Sequence, residues 1–313
     1  MKAKTIKAIL RKKIDEWLAT IEDADVRELA AKNAIVTGGA IASMLLREPV
    51  NDYDVYFRTR AACLAIVDYY VKRFKPMTAK GIPCNISVDA REDRIRVVIK
   101  SAGVASEDGT ERPYEYFEGR PDEEAGAYIG EVMTDPGEIE DAYETTQELA
   151  QEAEDDGKPR YRPVFMSTNA ITLSHRLQIV NRFFGDSEEI HENYDFAHCT
   201  NYWCAWNDDL VLRPTALEAL LTKELRYIGS KYPVCSLIRV RKFVARGWSI
   251  NAGQILKMVM QCHALDLKDV AVLQDQLTGV DAAYFMQVIA ALKDKHPEKI
   301  EYAYLIEIID RMF

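Results

Sequence analysis

Nowhere in its 313 residues does the chain run apolar for the roughly 18 positions that a bilayer-spanning helix needs. That excludes a helical membrane protein. Cysteine is sparse: six, at 63, 84, 199, 204, 235 and 262, and no two form a CxxC pair. A disulfide framework is therefore excluded, and reduced thiols, buried or partly buried, are expected in a cytoplasmic protein. His198, Cys199, Cys204, Cys262 and His263 could in principle gather round zinc, but their spacing matches no common structural-zinc pattern. Histidine is scarcer still, five in all, and neither Ser–His–Asp nor Cys–His spacing stands out around His191, His198 or His263. No internal repeat is present. The N-terminal MKAKTIKAILRKKIDEW is charged without a long apolar core or a small-residue cleavage site, so a secretory leader is not expected.

What the chain has is ordinary globular composition, 48% hydrophobic and 29% charged, which excludes wholesale disorder. Its net charge of −10 is unevenly spread. Residues 106–160 hold 19 acids and 4 bases, leaving 31 acids against 36 bases elsewhere. The reading is a mildly basic body carrying an acidic insertion at 104–160, with one helix expected near Pro136–Glu154. Overall acidity thus does not exclude an anionic substrate, because local fields govern encounter.

Apolar spacing predicts helices over 5–19, 23–32, 40–46 and 61–74, and strands over 34–37, 52–57 and 94–100. Strands follow at 162–166, 169–173 and 177–181, then a short helix at 186–193 with Asp186 and Glu189 placed as a capping box. An aromatic strand is expected over 193–206, a turn at 207–209 and a strand at 210–213. Helices are expected over 214–228, 233–246, 252–264, 266–276, 281–293 and 297–312. The layout is α+β: N-terminal helices at 1–33, a mixed-sheet domain over 34–231, then an all-α region over 232–313.

One stretch carries chemistry. A short strand runs into Gly38-Gly39 and straight into a helix, and a second strand follows with Asp52 and Asp54. Two glycines let the backbone approach a phosphate, and a helix N-terminus offers free N–H groups. Ser43, read as lying in the first turn, could add a hydroxyl. Carboxylates two residues apart on a strand share a face, roughly 7 Å apart. Like charges so placed call for a cation, and hard oxygens suit Mg²⁺ or Mn²⁺. Either element alone is weak evidence; the two together at a thirteen-residue spacing, Gly39 to Asp52, are far more specific. The bland alternative is a tight turn beside a solvated edge strand.

The pattern Gly38-Gly39, Leu45-Leu46, Asp52-x-Asp54 resembles the polymerase-β-like nucleotidyltransferase superfamily, with CCA-adding enzymes and bacterial poly(A) polymerases the most similar. Asp195-Phe196 followed by Leu210-Val211-Leu212-Arg213-Pro214, and Ile238–Ile250 with Arg239, Arg241, Lys242 and Arg246, resemble later family segments including the neck helix. Gln178–Phe183, Glu188-Glu189-Ile190 and Tyr194-Asp195-Phe196 are similar to a more remote viral and phage group of such proteins. The chain departs from the CCA-adding pattern at Ala42-Ser43 and Asn193-Tyr194, and lacks the base-selecting Glu-Asp-x-x-Arg.

The resemblance implies a polymerase-β-like fold with a neck-like helical region and a metal-dependent transfer of NMP from an NTP to an acceptor hydroxyl, releasing pyrophosphate. Asp52, Asp54 and Asp195 would ligate Mg²⁺ or Mn²⁺, with Asp89 the rival for third carboxylate. Gly38, Gly39, Ser43, Arg239 and Lys242 would hold the nucleotide. Arg176, Arg182, Lys223, Arg226, Arg241 and Arg246 are further cationic candidates, and Tyr202, Trp203 and Trp206 could stack a base. The acceptor implied first is an RNA 3′ end; a protein or small-molecule hydroxyl comes second. A binding or structural protein that kept the fold without activity is the alternative from another class.

Overall fold

The computed structural model describes residues 1–74, 85–92, 94–101, 114–116, 118–119, 159–167, 169–267, 269, 272 and 276. Most of the acidic insertion and the helices expected at 281–293 and 297–312 lie outside these residues. The described part is α+β. Of the described residues, those up to His191, with Cys199–Ala216, form one compact unit; Glu192–His198 and those from Leu217 onward form a second.

The first unit opens with α1 (Ala3–Ala19) and α2 (Ala24–Asn33). Ile6, Leu10, Ile14 and Trp17 recur at helical spacing and are fully buried. Each such side chain contributes about 1.5–3 kcal/mol by leaving water, so α1 belongs to the core. The Trp17 indole N–H donates to the Tyr70 hydroxyl at 2.8 Å, which satisfies a polar atom that burial would otherwise penalise. Asp23 caps α2 by accepting from the N–H groups of Asp25 and Val26. Next come β1 (Ala34–Thr37), α3 (Gly39–Leu46), β2 (Tyr53–Phe57) and α4 (Arg60–Arg73). Helix α3 closes on Arg47 in the left-handed region, φ 64°.

The strands β3 (Asn85–Ala90), β4 (Ile95–Ser101) and β5 (Tyr114–Tyr116) form a three-stranded sheet. The remaining strands are β6 (Glu118–Gly119), β7 (Pro163–Ser167), β8 (Ala170–Leu173), β9 (Leu177–Phe184), β10 (Tyr202–Cys204) and β11 (Asp209–Val211). With β1 and β2 they make an eight-stranded sheet ordered β11-β10-β1-β2-β9-β8-β7-β6. It is mixed: β2 and β9 run parallel, and the other neighbours are antiparallel.

Cross-strand partners share a face, so the register sorts side chains into rows. One row, Trp203–Val36–Val55–Ile179–Ile171, is fully buried and joins the core with residues of α1 and α4. The adjacent row, on the opposite face, is polar: Tyr202–Thr37–Asp54–Gln178–Thr172. Between β9 and β10 lies α5 (Ser187–His191), with the expected capping box. Asp186 accepts from the N–H groups of Glu188 and Glu189, and Glu189 accepts from that of Asp186.

Two expectations need correction. The aromatic strand over 193–206 is strand only at Tyr202–Cys204; Ala197–Cys199 is a 3₁₀ turn. The helix expected over 214–228 ends as α6 (Pro214–Thr222), because Lys223 turns left-handed, φ 49°. Residues 224–227 then extend, and Glu224 bridges Ser249 while Tyr227 bridges Phe196.

In the second unit, α7 (Pro233–Ala245) and α8 (Ala252–His263) match expectation. His198 is almost wholly buried there among aromatic rings, 4.4 Å from Trp248 and 4.8 Å from Phe243 between centroids. Burial pulls its pKa down to about 4, against the opposing pull of Asp195. The folded pKa lies below the ordinary 6.5, so the unfolded chain binds the proton more readily. Stability is present above pH 6.5 and lost as pH falls towards 4. His198→Phe should flatten this acid limb by about 1.4 kcal/mol per pH unit, read as unfolding free energy between pH 6.5 and 4. An unchanged slope would show that His198 is not buried neutral.

Candidate functional site

The site grows from the end of β1. Thr37 is fully buried, and its Oγ1 lies 2.8 Å from His191 Nε2 and 3.0 Å from the Asn201 carbonyl. Burial first, then Arg213, lowers the His191 pKa to about 3, so the ring is neutral. If the Thr37 hydroxyl gives its one proton to a carbonyl, Nε2 carries the hydrogen that bonds back to it. The Gly38 N–H donates to the Cys199 carbonyl at 3.1 Å. Gly38 itself sits at φ 89°, ψ −149°, a conformation open essentially to glycine alone. Gly39 follows as the first residue of α3, exposed, and a Cβ built on it would meet nothing within 4 Å. The turn is therefore pinned from behind and open in front, where α3 presents its first N–H groups.

Ser43 is not in the first turn as expected. It is the fifth residue of α3, half-buried, one turn further in than the leading N–H groups.

Asp54 lies opposite Thr37 on one side and Gln178 on the other. Asp52 stands just before β2 begins. Both residues are half-buried. Burial first, then the charge of Asp52, pushes the Asp54 carboxyl well above the usual range. With its amide nitrogen facing the two acids, as hydrogen-bond chemistry requires, Gln178 donates to Asp52 Oδ2 at 3.2 Å and to Asp54 Oδ1 at 3.0 Å. The expected pair is thus brought together on one side, bridged by a residue that the sequence singled out only within a motif.

Asp195 is placed otherwise. It belongs to the second unit, in a bend rather than on a strand, and its Oδ2 accepts from Arg239 Nη1 at 2.7 Å. One ion pair therefore engages both an expected metal ligand and an expected nucleotide ligand. Asp89, the rival, lies on β3 in the smaller sheet. The hydrogen bond from Arg96, at 2.8 Å, outweighs burial and, with Arg91, holds the Asp89 carboxyl below its ordinary range. Among the described residues, no group of three or more His, Cys, Asp or Glu side chains is gathered for a metal.

The other candidates scatter. Arg176 donates to the Val50 carbonyl, Arg182 is buried and donates to Asn169, and Arg226 pairs with Glu218. Lys223 lies at the end of α6, Lys242 in the last turn of α7, and Arg246 at its C-cap. Arg241 is an exposed residue of α7. Trp203 is a core residue on the apolar face, covered by Arg11, and not a free stacking platform. Arg58 lies over Trp206, and Tyr202 is half-buried on the polar face beside His191.

An α+β sheet with a glycine turn ahead of a short helix and a paired-aspartate ledge is the class that these observations define. A family model described as Gabija anti-defense 2 family protein matches residues 8–223, and the chain belongs to that family. The matched span contains the glycine turn, both aspartates and Gln178. A Gabija anti-defense 2 protein of Bacillus phage SPbetaL7 is 24% identical over 122 residues, covering 38% of this chain and 30% of that protein.

Among solved structures, the Thermotoga maritima CCA-adding enzyme complexed with tRNA is similar with a TM-score of 0.35 and 11% identity, over 88% of this chain and 54% of that one. The Bacillus stearothermophilus CCA-adding enzyme in complex with CTP is similar with a TM-score of 0.36 and 11% identity, over 88% and 51%. The chain spans about half the length of these enzymes.

The raised Asp54 pKa has a consequence for stability. Its folded value exceeds the unfolded 3.8, so stability is lost as pH rises from 3.8 through the folded value. Asp54→Asn, melted in EDTA at pH 7, should raise the melting temperature by about 2–4 °C per kcal/mol of relieved charge burial and repulsion. The gain should shrink towards pH 4. A lower melting temperature at pH 7 would show that the charge is not a burden to the cation-free fold.

Proposed function

We propose that this member of the anti-defense family is a nucleotidyltransferase of the polymerase-β-like kind. The observation that carries the reading is the Asp52–Asp54 pair, drawn together through one amide on the polar face that begins at the glycine turn. Two acids that converge on one amide, both with hard oxygen atoms, fit a divalent ion of oxygen preference, Mg²⁺ or Mn²⁺. Such an ion, when bound, neutralises phosphate charge and polarises the phosphoryl oxygens.

The chain's own groups do the rest. Gly38, Gly39 and the leading N–H groups of α3 receive the triphosphate tail, where the helix dipole favours negative charge. Gly39 leaves the approach clear because it has no side chain. Asp52 and Asp54 would hold the cation that faces the phosphates, and one of the two accepts the proton from the attacking hydroxyl. The acceptor oxygen bonds to the α-phosphorus, the bond to the β-phosphate oxygen breaks, and pyrophosphate leaves. Asp195 has no part in this reading, since its carboxylate already holds Arg239.

An RNA 3′ end is the first acceptor, on the resemblance of 238–250 to a neck helix. The family description favours a second, a hydroxyl on a component of the defence being countered. Incubation with Mg²⁺ and α-labelled NTPs, with total RNA or with an extract of Gabija-bearing cells, separates them by which fraction acquires label. Asp52→Ala should cut transfer about a thousandfold, the scale of several kcal/mol of lost charge stabilisation, while the melting curve stays two-state. Absence of label and of released pyrophosphate in every arm would overturn the proposal.

The two glycines should respond differently. Gly38→Ala should destabilise the fold by about 1–3 kcal/mol, because the backbone there excludes a Cβ. Gly39→Ala should leave the melting temperature unchanged and weaken triphosphate binding in calorimetry. A Gly39→Ala protein that binds NTP normally would remove the turn from the nucleotide site.

A further inference from the structure

We infer that Gln178 is the third oxygen ligand of the cation site, in the role expected of Asp195. The inference rests on the proposed function and specifies the ligand set of that same site.

Gln178 is Asp54's register partner on β9, the strand parallel to β2. Neighbouring strands lie about 4.8 Å apart, and partners across them share a face, so this side chain and Asp54 point the same way. The alternation in β9 agrees, with Leu177 and Ile179 fully buried in the core on the other face. The amide reaches both acids, 3.2 Å from Asp52 Oδ2 and 3.0 Å from Asp54 Oδ1. Three side chains therefore converge on one point, and all three carry oxygen.

The amide has a property that a carboxylate lacks. Without a cation, its N–H₂ faces the acids and bonds to both, which relieves their repulsion. Its last torsion is soft and roughly two-fold, so a half-turn exchanges nitrogen for oxygen at almost the same place. With a cation present, the half-turn offers Oε1 as a neutral ligand. The site then carries two negative charges instead of three. Ligand charge count tunes cation affinity, so this site binds a bare ion weakly and relies on the phosphates of the nucleotide to complete it.

The test is Mn²⁺ binding by the full chain after EDTA treatment, followed by electron paramagnetic resonance, with melting curves in parallel. Gln178→Glu should tighten Mn²⁺ binding about tenfold, and Gln178→Leu should weaken it about tenfold. Gln178→Met serves as a second truncation of similar length if Leu disturbs β9. The melting temperature of Gln178→Glu should fall in EDTA and recover in Mn²⁺ by more than the wild type gains. A residue that only clamps the two acids would lose the same stability in both conditions. If the 178 variants bind Mn²⁺ like the wild type while Asp54→Asn does not, the inference fails and the aspartate pair stands. If Asp54→Asn also binds like the wild type, the proposed function itself falls.

Discussion

Repulsion between two carboxylates held on one side of a sheet is the constraint around which the first unit is organised. Asp54 cannot turn away, because its register between Thr37 and Gln178 fixes its face. Water does not screen its charge well either, since burial, then Asp52 beside it, push its carboxyl well above the usual range. The fold answers with an amide that donates to both. Behind that amide the strand is anchored by side chains that never see water.

That anchoring makes the arrangement useful. The row from Trp203 to Ile171 packs against α1 and α4, and a platform of fully buried side chains keeps the facing polar row in place. Thr37 ties the platform to the turn through His191 and Asn201, and Gly38 is tied through Cys199. The groups proposed to touch the nucleotide thus sit at a helix start, on β2 or, for Asp52, immediately before it. The second unit shows a different economy. Its acid, Asp195, is joined to Arg239, and its buried histidine is wrapped in aromatic rings.

Much of the first unit was legible in the sequence because its signals are local. The glycine pair, the strand expected over 52–57 and the acid spacing at Asp186 and Glu189 are read from neighbours a few residues apart; the structure contains each, with the strand starting at Tyr53. What was not legible has a common cause. Asp195 among aromatic residues looks the same whether it awaits a metal or an arginine, and only the fold brings Arg239 to it. The apolar spacing of 214–228 continues past Thr222, yet the backbone turns at Lys223 to bridge Ser249, a partner that no local rule names. The alternation over 193–206 was aromatic packing read as strand, since Phe196 and His198 pack with Phe243. Gln178 was visible as a polar residue between two apolar ones in a strand. Its place beside Asp54 was not, because parallel pairing of strands so far apart in sequence leaves no local trace.

The parallel union of β2 with β9 places more than a hundred residues, 58–176, between two halves of a single ledge. Joining the ends of so long an excursion costs entropy that grows only logarithmically, about 0.6 kcal/mol for each doubling of length. The connections within that span, outside α4 and the strands, can therefore be lengthened or shortened at little thermodynamic expense, provided both ends arrive in register. Those connections are where diversity can accumulate while the aspartate ledge stays untouched.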